Sequence, residues 1–396
     1  MTAARQDAPR STTPDYARLI RAARRIFQPD ELERLVPRVH GGPRLAEVNG
    51  EGAGGLDPIA ATEAIAYDFL AKGGKYSRPF ITLAAYDALT GDRIGKLKNI
   101  GAPSRHDDAV CRAALSIESF HKASLVHDDI QDGDTYRYGK PTLHVEHGVP
   151  TAINVGDYLI GLGYRLVTRD IEELGADTAG DILHKLADAH TKLSEGQGAE
   201  LVWRDNRDKR LAPADALRIY ALKTAPAFEA AFYCGLRLAG PADHYAEPVA
   251  QLARHLGIAF QILNDLQDWR GDDFNKLTHG GDVLGGRPTV LWALALEGLN
   301  DRNRQRLEQL VAEGEATPIV FAEIRHLFEQ SGAFEKALRL VHEHRSQAER
   351  VADGLAPPAL KRLAHHLIQT VLEQPAATAT REAGCPPRRP LAVPAR

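Results

Sequence analysis

The chain of 396 residues has few cysteines, little net charge and no long uncharged apolar run. Its three cysteines, Cys111, Cys234 and Cys385, lack metal-ligand spacing, and their odd number argues against a disulfide framework. A net charge of −4 provides no basic surface for nucleic acid, so no nucleic-acid partner is expected. No apolar stretch approaches the length of a membrane span, and residues 1–14 are polar, without the apolar core of a signal peptide. These absences predict a reduced, cytoplasmic setting without stable membrane insertion. Alternating strand patterns, Asn-Gly hairpin signals and fixed-period repeats are missing as well.

What remains is helical periodicity. It predicts helices over 58–71, 78–89, 107–130, 152–174, 178–203, 213–238, 245–269, 289–299, 303–313, 318–330, 334–353 and 358–372. The stretch 109–130 is apolar around much of its circumference and is expected to be a buried central helix. An all-α bundle with its site in the core is the predicted architecture. Residues 15–372 read as a single helical domain containing a Gly-rich loop over 40–55. The polar segment 1–14 and the Pro/Ala/Arg-rich tail 373–396 read as disordered.

Two acidic clusters interrupt the apolar helices: Asp128-Asp129-Ile130-Gln131-Asp132 and Asn264-Asp265-Leu266-Gln267-Asp268. Positions i and i+4 share a helix face, so Asp128 pairs with Asp132 and Asn264 with Asp268. Either cluster alone is also what a solvated helix face looks like. Two of them across a helical pocket need cations between them, and hard oxygen ligands suit magnesium that stays partly bound to a diphosphate. Asp129, one position on, turns partly away from such ions.

Further motifs lie in order around these clusters. They are Gly73-Gly74-Lys75-Tyr76-Ser77-Arg78-Pro79, then Glu118 and His121 ahead of Ser124-Leu125-Val126-His127-Asp128-Asp129, then Arg137-Tyr138-Gly139-Lys140-Pro141-Thr142. Gly196-Gln197 with Glu200, Lys223-Thr224, Phe260-Gln261 and Asp282 with Arg287 follow. Together the chain resembles the trans-isoprenyl diphosphate synthases, or polyprenyl synthetases, of the geranylgeranyl-making type, over about residues 71–289. The resemblance implies an isoprenoid-synthase-type bundle and a homodimer. It also implies three Mg2+ ions held by Asp128, Asp132, Asn264, Asp265 and Asp268. The substrates it implies are isopentenyl diphosphate and an allylic prenyl diphosphate. Arg137, Lys223 and Lys276 or Arg287 would add cationic contacts to the allylic diphosphate. Lys75, Arg78 and His121 would hold the homoallylic one without metal. Thr224 and Gln261 would be polar neighbours of the carbocation. The growing tail would pass Ser124 and Ala123, one turn before Asp128, and stop at Phe120, about 5 Å further by the helical rise. Farnesyl-making members place an aromatic at the position of Ala123, so alanine there implies a geranylgeranyl-length product.

Two positions depart from the family pattern. Tyr138 replaces the second arginine of the basic motif and cannot carry its charge. Asn264 replaces the first aspartate of the second cluster. These departures keep a class I terpene cyclase on the same fold as the alternative, whereas Lys75, Arg78 and His121 favour chain elongation. A non-catalytic partner subunit is a third reading, opposed by the intact first cluster.

Overall fold

The computed structural model describes residues 16–41, 57–91, 94, 104–206, 209–269, 281–314 and 316–373. The expectations for 1–14, for Lys276, for most of the Gly-rich loop and for all but the first residue of the tail lie outside them. The described chain is a bundle of helices: α1 Tyr16–Arg25, α2 Pro29–Leu35, α3 Pro58–Ala71, α4 Ser77–Thr90 and α5 Arg105–Asp132. A two-stranded ladder follows, β1 Tyr136–Arg137 and β2 Lys140–Pro141. Then come α6 Leu143–His147, α7 Val149–Thr168, α8 Ile171–Leu174, α9 Ala176–Asp205, α10 Pro213–Ala239 and α11 Asp243–Asp268. The C-terminal part comprises α12 Gly281–Leu284, α13 Val290–Gly298, α14 Asp301–Glu313, α15 Pro318–Ser331, α16 Ala333–Asp353 and α17 Pro358–Leu372.

The central helix expected over 107–130 is α5, with a capping box at its start. Ser104 accepts from the Asp107 amide and the Asp107 carboxylate accepts from the Ser104 amide. Gly133, with φ 68°, ends it in a left-handed cap. Its buried serines tie it to α7: Ser116 donates to the Gly163 carbonyl and Ser119 to that of Leu159, both at 2.7 Å. On the other side of the bundle α9 packs closely on α10. A Cβ at Gly196 would come within 2.8 Å of the Lys223 backbone nitrogen, so glycine there sets how near Lys223 and Thr224 come to Glu200.

The segment expected to be one helix over 152–174 is two. The chain breaks at Arg169–Asp170, where Asp170 turns inward and accepts from Arg112 Nε at 2.5 Å and Nη2 at 2.8 Å. Both partners are buried, so this paired charge outweighs helix continuation. The ladder at 136–141 is also absent from the sequence reading. Its two-residue turn is Tyr138-Gly139, both with positive φ, and tyrosine is not a turn signal at that position.

Candidate active site

Both acidic clusters fall at helix C-termini, on the last turns of α5 and α11. A helix C-terminus already carries partial negative charge, so carboxylates placed there repel the backbone as well as each other. The arrangement calls for cations. Asp128 shows the strain most clearly: burial, with Asp132 beside it, pushes its carboxyl up to about 6 against the opposing pull of Lys223.

The residues of each cluster divide by helix face. In the first, Asp129 is buried and turned away, accepting from Arg137 Nε at 2.6 Å. In the second, Asp265 is also buried, and its Oδ2 accepts from the Tyr220 hydroxyl and, at 3.3 Å, from the Val290 amide at the start of α13. Asp265 was expected as a metal ligand. It borders the cavity, but this oxygen is committed to the protein because i+1 lies about 100° round the helix from Asn264. Asp132 receives Arg204 Nη1 at 3.1 Å and Arg287 Nη2 at 3.0 Å, one guanidinium on each oxygen. Asp268 accepts from the Asp282 amide at 3.2 Å. Arg137, expected to meet the allylic diphosphate, is paired with Asp129, with Asp134 at 3.7 Å.

Two cavities meet at Lys223, which lines both. The polar one, of about 430 Å3, is bordered by Asn264, Asp268, Gln261, Arg287 and the exposed Lys75. Lys223 Nζ lies 2.5 Å from Glu200 Oε2, and Gln261 donates to Thr224 Oγ1 at 2.6 Å. The second cavity, of about 380 Å3, opens at Asp128 and runs between Ile117, Phe120, Ser124, Leu186 and Ala230. The Phe120 ring stands edge-on to Tyr164 at 4.9 Å. Ala123 does not border this cavity. It is fully buried and shares the face of Ser119 and His127, which turns to α7. Five residues is 500° of helix, so Ala123 points about 140° away from Asp128, whereas Ser124 is about 40° off.

Arg78 and His121 border the same apolar cavity near its mouth. Arg78 Nε is buried without a hydrogen-bond partner. His121 is held well below the usual imidazole range by burial and by the nearby cations Arg78, Lys122 and Arg137. An anion placed among these groups would give Arg78 Nε an acceptor and favour the charged form of His121. Three residues escaped the sequence reading. Arg204 and Tyr220 carry no motif of their own. Lys122 gave one faint signal, a lysine within the stretch 109–130 expected to be a buried helix.

The donors fit a hard divalent cation. Asp128, Asp132, Asn264 and Asp268 supply only oxygen, and among the described residues no three acidic or imidazole groups converge into a site by themselves. That suits an ion whose shell is completed by diphosphate oxygens.

The family model described as polyprenyl synthetase matches residues 60–327. The chain is 30% identical over 273 residues to a short chain isoprenyl diphosphate synthase of Methanothermobacter thermautotrophicus, covering 69% of this chain and 78% of that one. It is 31% identical over 237 residues to a geranylgeranyl diphosphate synthase of Sulfolobus acidocaldarius, covering 58% and 66%. Its fold resembles the crystal structure of a polyprenyl synthase from Caulobacter crescentus complexed with calcium and isoprenyl diphosphate. The TM-score is 0.69 at 26% identity, covering 93% of this chain and all of that one.

Proposed function

We propose that this chain, which belongs to the polyprenyl synthetase family, performs head-to-tail prenyl chain elongation with geranylgeranyl diphosphate as its product. It is a prenyltransferase of isoprenoid biosynthesis that joins isopentenyl diphosphate to an allylic prenyl diphosphate. The observation that carries the reading is the meeting, at Lys223, of a carboxylate-lined polar cavity and an apolar one bordered by His121 and by Arg78, whose buried Nε has no hydrogen-bond partner.

Magnesium, three ions in our reading, would be held by Asp128, Asp132, Asn264 and Asp268 and would supply the charge that stabilises departing pyrophosphate. Lys223 and Arg287 bind the allylic diphosphate from the polar side. Lys75, Arg78 and His121 hold the homoallylic one. Gln261 donates to Thr224, so its own carbonyl oxygen is left to face the allylic cation. The apolar walls exclude water that would otherwise quench the cation. Phe120 limits the tail.

The reading extends to a cytoplasmic homodimer. Among the described residues no helix is long and apolar enough to cross a membrane. Val149 and Ile153, one turn apart on α7, are 43% and 44% exposed, and Val145 on α6 is 51% exposed, apolar surface that a second copy would cover.

The test is incubation with magnesium and farnesyl diphosphate, with and without isopentenyl diphosphate. A longer diphosphate formed only with both supports elongation. A cyclic hydrocarbon formed without isopentenyl diphosphate would establish the cyclase, which Asn264 favours, and no product at all would point to a partner subunit.

A further inference from the structure

Among the described residues, two that are not glycine have left-handed backbone: Tyr76 at φ 49° and Tyr138 at φ 53°. Bulky side chains hold this conformation only where the surroundings impose it. Both rings act on one segment, the turn Lys72–Gly74 and the start of α4 that presents Lys75 and Arg78. The Tyr76 ring stacks on Phe27 at 4.3 Å, and its hydroxyl donates to the Ala71 carbonyl at 3.2 Å. The Tyr138 ring lies on Gly73, where a Cβ would come within 2.7 Å of it. Gly73 also has φ 64°, so no other residue fits that place without strain.

Beneath Tyr138 is Lys122, which is wholly buried. Its Nζ donates to the Lys72 carbonyl at 2.5 Å and the Gly73 carbonyl at 3.0 Å. It also faces the rings of Phe69 at 5.0 Å and Tyr138 at 4.7 Å, within cation–π range. A cation this deep cannot touch a ligand. It can hold the turn, and in a low-dielectric interior its field reaches further than an exposed charge would.

We propose that Lys122 and Tyr138 form a clamp on the Lys72–Gly74 turn that aims Lys75 and Arg78 at the homoallylic diphosphate. In this clamp Lys122 supplies from below the positive charge that position 138 lacks. The inference rests on the elongation reading. It makes Lys122 and Tyr138 positioning residues for one of the two substrates only. Burial pushes the Lys122 ammonium down to about 8, with Glu118 opposing, so a diphosphate nearby stabilises its charged form.

The experiment measures the Michaelis constants for both substrates, and isopentenyl diphosphate binding by calorimetry, in wild type, Lys122→Met, Tyr138→Ala and Tyr138→Phe. Lys122→Met and Tyr138→Ala should each raise the constant for isopentenyl diphosphate roughly ten- to a hundredfold, the scale of one charge-assisted contact. The allylic constant should stay within about twofold. Tyr138→Phe, which keeps the ring, should recover most of what Tyr138→Ala loses. The double variant should be little worse than either single one, because the two residues act as a unit. If Lys122→Met fails to fold, the half-exposed Tyr138 pair still decides. A wild type that elongates, with both constants unchanged or both raised equally in the variants, overturns the clamp alone. A wild type that ionises the allylic diphosphate but neither binds nor consumes isopentenyl diphosphate overturns the elongation reading and the clamp together.

Discussion

Arg287 Nη2 lies 3.0 Å from Asp132 Oδ2 across 155 residues of sequence, tying the segment before α13 to the last turn of α5. Arg287 Nη1 also lies 3.4 Å from Asp282, and Arg204 takes the other oxygen of Asp132. Two arginines therefore stand where a metal would compete for the same carboxylate. Replacing Arg204 with Ala should lower the magnesium concentration needed for half-maximal rate several-fold. Titration of Mg2+ with inorganic pyrophosphate by calorimetry checks this independently of turnover. An unchanged or weakened metal response would show that Arg204 does not compete at Asp132.

Asp128→Asn should separate activity from stability. Turnover should fall by at least about a thousandfold, as for loss of a group that stabilises developing charge. Stability should move the other way. The Asp128 carboxyl is raised from 3.8 to about 6 by burial. The folded chain therefore binds a proton more tightly than the unfolded one, and stability is lost as pH rises from 3.8 through about 6. Above that window the charged form costs up to about 3 kcal/mol. At pH 8, thermal melting without metal should show the variant more stable than wild type. A less stable variant would mean that Asp128 is already compensated within the protein.

Product length should follow the residues that border the apolar cavity. Ser124→Phe should shorten the product and Phe120→Ala should lengthen it, read by mass spectrometry of the dephosphorylated alcohols. Ala123→Phe should instead destabilise the fold by about 1–3 kcal/mol, because its face packs on α7. A stable Ala123→Phe enzyme making shorter chains would restore the position to the tunnel.

A histidine pair links α11 and α16: Nδ1 of His255 and Nδ1 of His344 are 2.9 Å apart. Burial, with His255 and Arg254, pushes His344 down from 6.5 to about 4. The unfolded chain therefore takes up a proton that the folded one refuses, so stability falls as pH drops from about 6.5 to about 4. Solvent screening of this partly buried pair reduces the effect to about 1–2 kcal/mol. Urea unfolding across that range should show a steeper acid loss in wild type than in His344→Gln. Equal slopes would remove the pair as its cause.

Light scattering at micromolar concentration should return a dimer mass for wild type. Ile153→Glu, which places a charge beside the exposed Val149 on α7, should shift it towards monomer. A wild-type monomer would contradict the dimer reading outright.

Much of the architecture could be read in the residues alone. Local periodicity and caps are properties of neighbours in sequence, so the helices that became α5, α9, α10 and α11 were legible to within a few residues. So was the facing of Asp128 with Asp132 and of Asn264 with Asp268, because a helix repeats every 3.6 residues. The break at Asp170 was not legible, since its cause is Arg112, 58 residues earlier. Neither were the arginines on Asp132, the commitment of Asp265 to Tyr220, or the burial of Lys122 under Tyr138. Each depends on groups that only folding brings within a few ångströms. Sequence spacing determined which side chains share a helix face. Only the tertiary structure decided what those faces meet, because hydrogen bonds and ion pairs act over distances in space and not along the chain.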